Sequence, residues 1–283
     1  MAAEKANFSI RFMAQHLHVS ASGYYAWARA SRPRRAQVDR RLGVKIAAIH
    51  RASQGRYGSP RIHAALRAAG DRVSRKRVVR LMREQQLRGR TPRRFRCTTA
   101  VDPTAPPAPN TLAQGFTVAR PNRVWASDIT ALPTREGWLY LAVVLDLCSR
   151  RIVGWAMRPT LETELATAAL HLALSRRHRR GPLLHHSDRG CQYTSAAYQA
   201  LLQRAGLRCS MSGTGNCFDN AVVESFFHTL KTEIADRCYW LTRRAAITAV
   251  ADYIEAFYNR TRLHSTLGYL SPATFEARFK AAA

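Results

Sequence analysis

The sequence predicts an α/β fold: a mixed five-stranded sheet with helices on its faces, preceded by a small all-α region. Apolar residues recur at helical spacing through residues 1–90. Three strand-like runs rich in Val, Leu and Trp then follow one another at short intervals between residues 124 and 157, which makes an antiparallel meander. Beyond residue 160, helix and strand alternate, the pattern of a sheet with helices packed against it.

Composition narrows the function classes. The 283 residues are enough for two or three small domains with real cores, and 46% hydrophobic residues is a globular composition. The formal net charge of +27 makes a polyanion the expected partner, nucleic acid first. The excess is uneven: residues 1–110 hold 24 Lys/Arg and 5 Asp/Glu, against 21 and 13 in the remainder. The amino-terminal part is therefore the stronger electrostatic grip. The six cysteines (Cys97, Cys148, Cys191, Cys209, Cys217, Cys238) form no C-x-x-C pair, which argues against structural zinc and against a disulfide framework. Free thiols fit a cytoplasmic protein. No apolar run reaches membrane-spanning length, and the start lacks a signal-peptide pattern.

In chain order, residues 7–29 read as helical, with Ser20-Ala21-Ser22-Gly23 before an aromatic cluster; this is a helix–turn–helix fragment or a packing hairpin. Val38, Leu42, Ile46 and Ile49 mark a helix over 38–53, broken by Gly55 and Gly58. Pro60 suits the first turn of the next helix, which Gly70 ends. Ser74 caps a third, with Val78, Val79 and Met82 on one side and Arg75, Lys76, Arg77, Arg80 and Arg83 over the rest. Three short helices with a strongly basic third one suit a helix–turn–helix DNA reader, most clearly over 38–88; the bland alternative is a basic, non-specific knob. The expected organisation is a helical DNA-binding region over 1–90 and a Pro/Arg-rich linker over 91–118, with the sheet-containing core over 119–283. Within the core, strands are expected at 124–132, 138–147, 151–157, 182–187 and 207–211. Helices are expected at 161–176, 195–205 and 242–258, with a further one after Asp219.

That last helix draws attention. Val222, Val223, Phe226, Leu230 and Ile234 gather on one side at ~100° per residue, while Asn220, Glu224, His228 and Lys231 gather on another. Asp219 is its expected N-cap. Two further carboxylates sit where charge is costly: Asp128 inside the first strand, Asp188 where the fourth ends. Two strand aspartates and a helix glutamate can converge on divalent cations, and oxygen ligands favour Mg²⁺ or Mn²⁺. Two such ions about 3.5–4 Å apart serve phosphodiester chemistry. Asp146, before Ser149-Arg150, is the rival acid, better suited to a turn or an Arg partner.

Three blocks and a closing signature carry a resemblance. Trp125-x-x-Asp128-Ile129-Thr130, His186-Ser187-Asp188-Arg189-Gly190-x-Gln192-Tyr193 and Asp219-Asn220-Ala221-x-x-Glu224-Ser225-Phe226-Phe227 resemble the insertion-sequence transposases of the OrfB type. These belong to the DDE recombinase superfamily shared with retroviral integrases. Asp188 and Glu224 have 35 residues between them, the family's spacing, and Lys231 follows Glu224 by seven. Tyr258-Asn259-x-x-Arg262-x-His264-x-x-Leu267-Gly268-Tyr269-x-x-Pro272 is similar to the family's ending, so the likeness covers nearly the whole chain.

The resemblance implies a ribonuclease-H-like core with Asp128, Asp188 and Glu224 as catalytic metal ligands. It also implies Mg²⁺-dependent cleavage at transposon ends and strand transfer of the freed 3′-hydroxyl. The implied partners are double-stranded DNA at terminal inverted repeats and target, further copies of the chain on that DNA, and an upstream-frame helix–turn–helix and coiled-coil product. The implied place is the bacterial cytoplasm, on the nucleoid. Lys231 is then a phosphate ligand or a solvated lysine, and Asn220 orients Glu224, touches DNA or merely starts the helix. His186 is a candidate support for Asp188; Arg189 and Arg262 hold phosphates or pair with acids. The rival readings are a purely hydrolytic nuclease of the same fold and a non-catalytic DNA-binding regulator, which would not need all three acids.

Overall fold

A computed structural model describes residues 1–29, 34–90, 118–178, 181–212, 220–235 and 240–281. The expected linker falls almost wholly at 91–117, outside the described residues, as do Asp219, Cys97, Cys217 and Cys238. The chain divides into two compact units, Met1–Gly89 and Arg90–Ala283.

The first unit is all helical. Two short helices, α1 (Ile10–His16) and α2 (Ala21–Arg29), take the place of the expected helical stretch at 7–29. The three that follow are α3 (Arg34–Ala52), α4 (Ser59–Ala68) and α5 (Arg75–Glu84). Pro60 stands in the first turn of α4, and the Ser74 hydroxyl accepts the N–H of Arg77 to cap α5. Ile46, Ile62, Leu66, Val78, Leu81 and Met82 are buried together, so each helix gives one apolar stripe to a shared core. Where α5 runs out, Gly89 lies against Gly58: a Cβ there would come within 2.5 Å of the Gly58 nitrogen.

The second unit is built on one sheet in the order β3-β2-β1-β4-β5. Its strands are β1 (Val124–Thr134), β2 (Gly137–Asp146), β3 (Ile152–Arg158), β4 (Leu183–Ser187) and β5 (Leu207–Met211). The first three form the expected antiparallel meander, while β4 runs parallel to both β1 and β5. β1 extends to Thr134, two residues past its expected end, because Thr134 still pairs with Gly137 across the hairpin.

Alternation along the strands sends two different cores to the two faces. Trp125, Ala142, Val144 and Val153 pack with α6 (Thr163–Arg176) and α8 (Ala196–Arg204), which follows the one-turn helix α7 (Cys191–Thr194). Ala126, Leu132, Leu141, Val143 and Leu145 face the other way. There they meet α9 (Ala221–Glu233), α10 (Arg243–Asp252) and the π-helical turn at Tyr253–Tyr258 that extends it. The expected single helix at 242–258 thus begins at Arg243, with the Thr242 hydroxyl capping it by accepting the Ala245 N–H, and widens over its last turns.

The last helix, α11 (Pro272–Ala281), is tied to the sheet by charge. Glu276 is 4% exposed and accepts from Arg177, Arg151 and Ser149. Burial opposes its ionisation, but those donors outweigh it and keep the carboxyl below its ordinary pKa. Asp146 joins the same network. It accepts the Cys148, Ser149 and Asn122 N–H groups, the turn role its sequence context suits, which removes it as a rival ligand.

The tightest contact in the core is between β3 and α6. A Cβ on Gly154 would stand 2.2 Å from the Ala169 carbonyl oxygen and 2.7 Å from the Ala173 nitrogen, both backbone atoms. Gly154→Ala should therefore lower unfolding free energy by about 3 kcal/mol. Urea denaturation of the purified chain measures this, and an unchanged midpoint would show that α6 can retreat.

Candidate active site

The site begins with strand register. β1 and β4 pair in parallel, with Val124 opposite Leu184, Trp125 opposite His185 and Ala126 opposite His186. Asp128 and Asp188 each stand two residues beyond the last of these pairs. Asp128 continues along β1 on the Ala126 face, and Asp188 follows directly where β4 ends at Ser187, near enough for its charge to act on Asp128. The Ala126 face is the one α9 covers, since Val223, Phe226 and Leu230 pack in the same cluster as Ala126. Glu224, exposed on α9, is thereby carried towards the two aspartates.

The backbone fixes both aspartates. Asp128 Oδ1 accepts the Ile129 N–H at 2.7 Å, and Asp188 Oδ1 accepts the Gly190 N–H at 3.0 Å. Gly190 has no room for more: a Cβ would lie 3.1 Å from Asp188 Oδ1. Asn220, 5% exposed, donates from Nδ2 to the Ser127 carbonyl at 3.2 Å, pinning the start of α9 to the strand residue before Asp128. So Asn220 acts first as a strut between helix and strand.

Electrostatics shows that the acids share one neighbourhood. The Asp128 carboxyl is held well above its ordinary pKa by burial and then by the charge of Asp188; Glu224 adds to this and Lys231 opposes it. Burial raises Asp188 against the pull of the Gly190 N–H, and raises Glu224 too. Asp188, Glu224 and Lys231 thus all lie near enough for their charges to act on Asp128. Among the described residues, however, no group of three or more His, Cys, Asp or Glu side chains is drawn close enough to hold a metal ion.

Beneath the acids lies a polar layer that the sequence reading did not single out. Ser127 Oγ and the Tyr198 hydroxyl both stand within hydrogen-bond distance of His185 Nε2, at 2.9 and 3.0 Å. His185 is fully buried, which pushes its pKa down to about 3 and keeps the ring neutral. Tyr193 is 2% exposed, and its hydroxyl has no hydrogen-bond partner among the described residues, although Asp128 and Asp188 both act on it. The available signal was its place in the Asp188-Arg189-Gly190-x-Gln192-Tyr193 block.

Other candidates have partners in the fold. His186 lies against Ser210 and Ser212, at 3.0 and 3.2 Å, bracing β4 to β5. Arg189 donates to the Ser212 carbonyl. Arg262 is buried on Glu233, so of its two readings the acid pair holds. In the first unit, Arg77 and Arg80 of α5 both reach Asp39 of α3, at 2.6 and 2.7 Å, and Arg80 also meets Glu84. Those hydrogen bonds, Arg80's first, hold the Asp39 carboxyl below its ordinary pKa. The exposed cations of α5 are Arg75, Lys76, Arg80 and Arg83, with an exposed Val79 among them; of these, Arg80 is the one that also pairs with Asp39 and Glu84.

Comparison with known proteins fits this geometry. Residues 118–217 and 224–278 match models described as Integrase core domain, and residues 37–95 match an HTH-like domain. The chain is 45% identical over 279 residues to Transposase InsF for insertion sequence IS3A of Escherichia coli, covering 96% of this chain and 95% of that protein. It is 42% identical over 267 residues to the Insertion element IS600 uncharacterized 31 kDa protein of Shigella sonnei, covering 94% and 98%. A simian T-cell lymphotropic virus intasome chain is a loose structural likeness, with 17% identity and a TM-score of 0.48 over 82% of this chain and 74% of that one. The chain belongs to the IS3 family of insertion-sequence transposases. Its core is an integrase-type, ribonuclease-H-like sheet, and its chemistry is that of a DDE polynucleotidyl transferase acting on DNA.

Mutual repulsion gives a measurable consequence. Asp128→Asn removes one of three like charges and should raise the thermal midpoint of the metal-free protein by about 2–4 °C. A lowered midpoint in calorimetry would mean that the acids do not oppose one another.

Proposed function

We propose that Asp128, Asp188 and Glu224 are the catalytic carboxylates with which this transposase binds Mg²⁺ or Mn²⁺, cuts DNA at the ends of its element and joins the freed 3′-hydroxyl to a target. The observation that supports this is that Asp188, from the end of β4, and Glu224, from α9, both lie near enough for their charges to act on the Asp128 carboxyl, which burial already holds above its ordinary pKa. The donor set fits the ions in kind: all three are carboxylates, and their repulsion is what a bound cation relieves. When bound, two such ions supply activation of the attacking hydroxyl and stabilisation of the leaving oxygen.

The chain's own residues do the rest. The Ile129 and Gly190 N–H groups fix the two aspartates on their strands. Asn220 ties the start of α9 to β1, so the glutamate is offered to the strands by a helix already in place. Lys231 brings positive charge to the same field and suits a phosphate oxygen beside the cleaved bond. No side chain has to form a covalent intermediate, because positioning and charge stabilisation carry phosphoryl transfer.

The helical region at 1–90 serves as the DNA grip. Its contact stripe on α5 is Arg75, Lys76 and Arg83. Arg77 and Arg80, committed to Asp39, hold α5 against α3 and set the angle at which that stripe is presented. Double-stranded terminal repeats and target are the intended partners. Several copies assemble on paired ends, and an upstream-frame helix–turn–helix and coiled-coil product joins them.

Two measurements test this. Glu224→Gln should abolish cleavage and joining of a labelled element end while leaving its DNA affinity unchanged; cleavage by that variant would sink the assignment. Plasmid joining by the wild type separates transposition from mere hydrolysis. Arg83→Ala should lessen the slope of log affinity against log salt by about 0.9, the share of one phosphate contact. An unaltered slope would place the grip on another surface.

A further inference from the structure

We infer that the segment from Tyr253 to Arg262 is a brace for α9, and that Glu233, Arg262 and Tyr253 are positioning residues for Glu224. The inference rests on Glu224 being one of the three metal-binding carboxylates.

Glu224 has no hydrogen bond of its own among the described residues, and it is exposed. Its place is therefore set by the helix that carries it. An apolar stripe alone is a weak register, since Val223, Phe226 and Leu230 can slide or roll against other apolar atoms at small cost. Glu233 removes that freedom. It sits seven residues after Phe226, on the buried side of α9, and is 4% exposed. Arg262, 6% exposed, donates to its Oε1 from Nη2 at 2.8 Å and from Nε at 3.1 Å. The Tyr253 hydroxyl donates to Oε2 at 2.8 Å. Both carboxylate oxygens are thus taken by directional donors in a dry site, where a slip of α9 would leave a buried charge uncompensated.

The same segment grips α9 again near Glu224. The Arg262 guanidinium lies 5.8 Å from the centre of the Tyr258 ring, and Tyr258 meets Phe226 edge-on at 4.7 Å. Phe226 is two residues past Glu224; Glu233 is nine, about 13 Å along the helix. One stretch of chain therefore fixes α9 at two points, and with them the rise and rotation of Glu224. Asn259 anchors that stretch to the sheet: its Oδ1 accepts the Ile152 N–H at 3.0 Å and its Nδ2 donates to the Ile152 carbonyl at 2.9 Å.

The test uses the full chain and Mn²⁺ itself as probe, followed by loss of the free-ion signal in electron paramagnetic resonance. Tyr253→Phe and Glu233→Gln should weaken Mn²⁺ binding about tenfold. They should raise the Mg²⁺ concentration needed for half-maximal joining, with rate recovered at saturating Mg²⁺ and DNA affinity unchanged. Folded variants that bind Mn²⁺ like the wild type would overturn the brace. Should Glu233→Gln fail to fold, Tyr253→Phe decides, because it removes one hydrogen bond and no charge. Glu224→Gln separates the two readings. Wild-type Mn²⁺ binding there overturns the carboxylate assignment. Weakened binding there, with wild-type binding in the brace variants, overturns the brace alone.

Discussion

The parallel pairing of β1 with β4 is the constraint on which the rest of the second unit depends. Pairing Ala126 with His186 brings Asp128, two residues on in β1, near Asp188, which follows the end of β4. A slip of one residue would send Asp188 to the opposite side of the sheet, among the apolar contacts of α6 and α8. Register is held from both sides. Trp125 is buried in one core and Ala126 in the other, while His185 and His186 spend their rings on Ser127, Tyr198, Ser210 and Ser212. Two buried, hydrogen-bonded histidines in a strand interior are costly to place and make misalignment costlier still.

The protein places two half-buried aspartates near an exposed glutamate, and this crowding of like charge has to be sustained by structure elsewhere. The Asp128 carboxyl, raised by burial and by its neighbours, records that tension. The supports are of two kinds. Backbone N–H groups and the Asn220 amide act at the acids themselves. Farther off, buried ion pairs lock the surrounding elements: Glu233 with Arg262, and Glu276 with Arg151 and Arg177. The carboxyl-terminal part of the chain thus contributes no ligand yet sets where a ligand stands. In the first unit Asp39 has a comparable part, turning two arginines of a basic helix into a hinge between helices.

Much of this was legible in the amino-acid order, because it depends on local chemistry. Alternation and short turns specified the meander, helical periodicity the apolar side of α9, and Ser74 and Thr242 the starts of α5 and α10. Asp128 and Asp188 stood out because charge inside or beside apolar strands needs a reason, and Glu224 because it shares a polar helix side with Asn220 and Lys231. What stayed hidden was the choice of partner. Arg75, Lys76, Arg77 and Arg80 look alike along the helix, and only the approach of α3 brings Arg77 and Arg80 to Asp39, Arg80 staying exposed all the same. Glu233 did carry a signal, an acid on the Phe226 stripe, but nothing nearby names Arg262 as its counterpart.

The sequence by itself determined which residues can be buried, where helices and strands begin, and which side chains bear the chemistry, since these follow from side-chain size, charge and short-range backbone preference. Only the tertiary structure decided which charges neutralise one another and which remain for DNA and metal. An ion pair is a matter of distance across the fold, and residues separated by dozens of positions acquire that distance only when the elements pack.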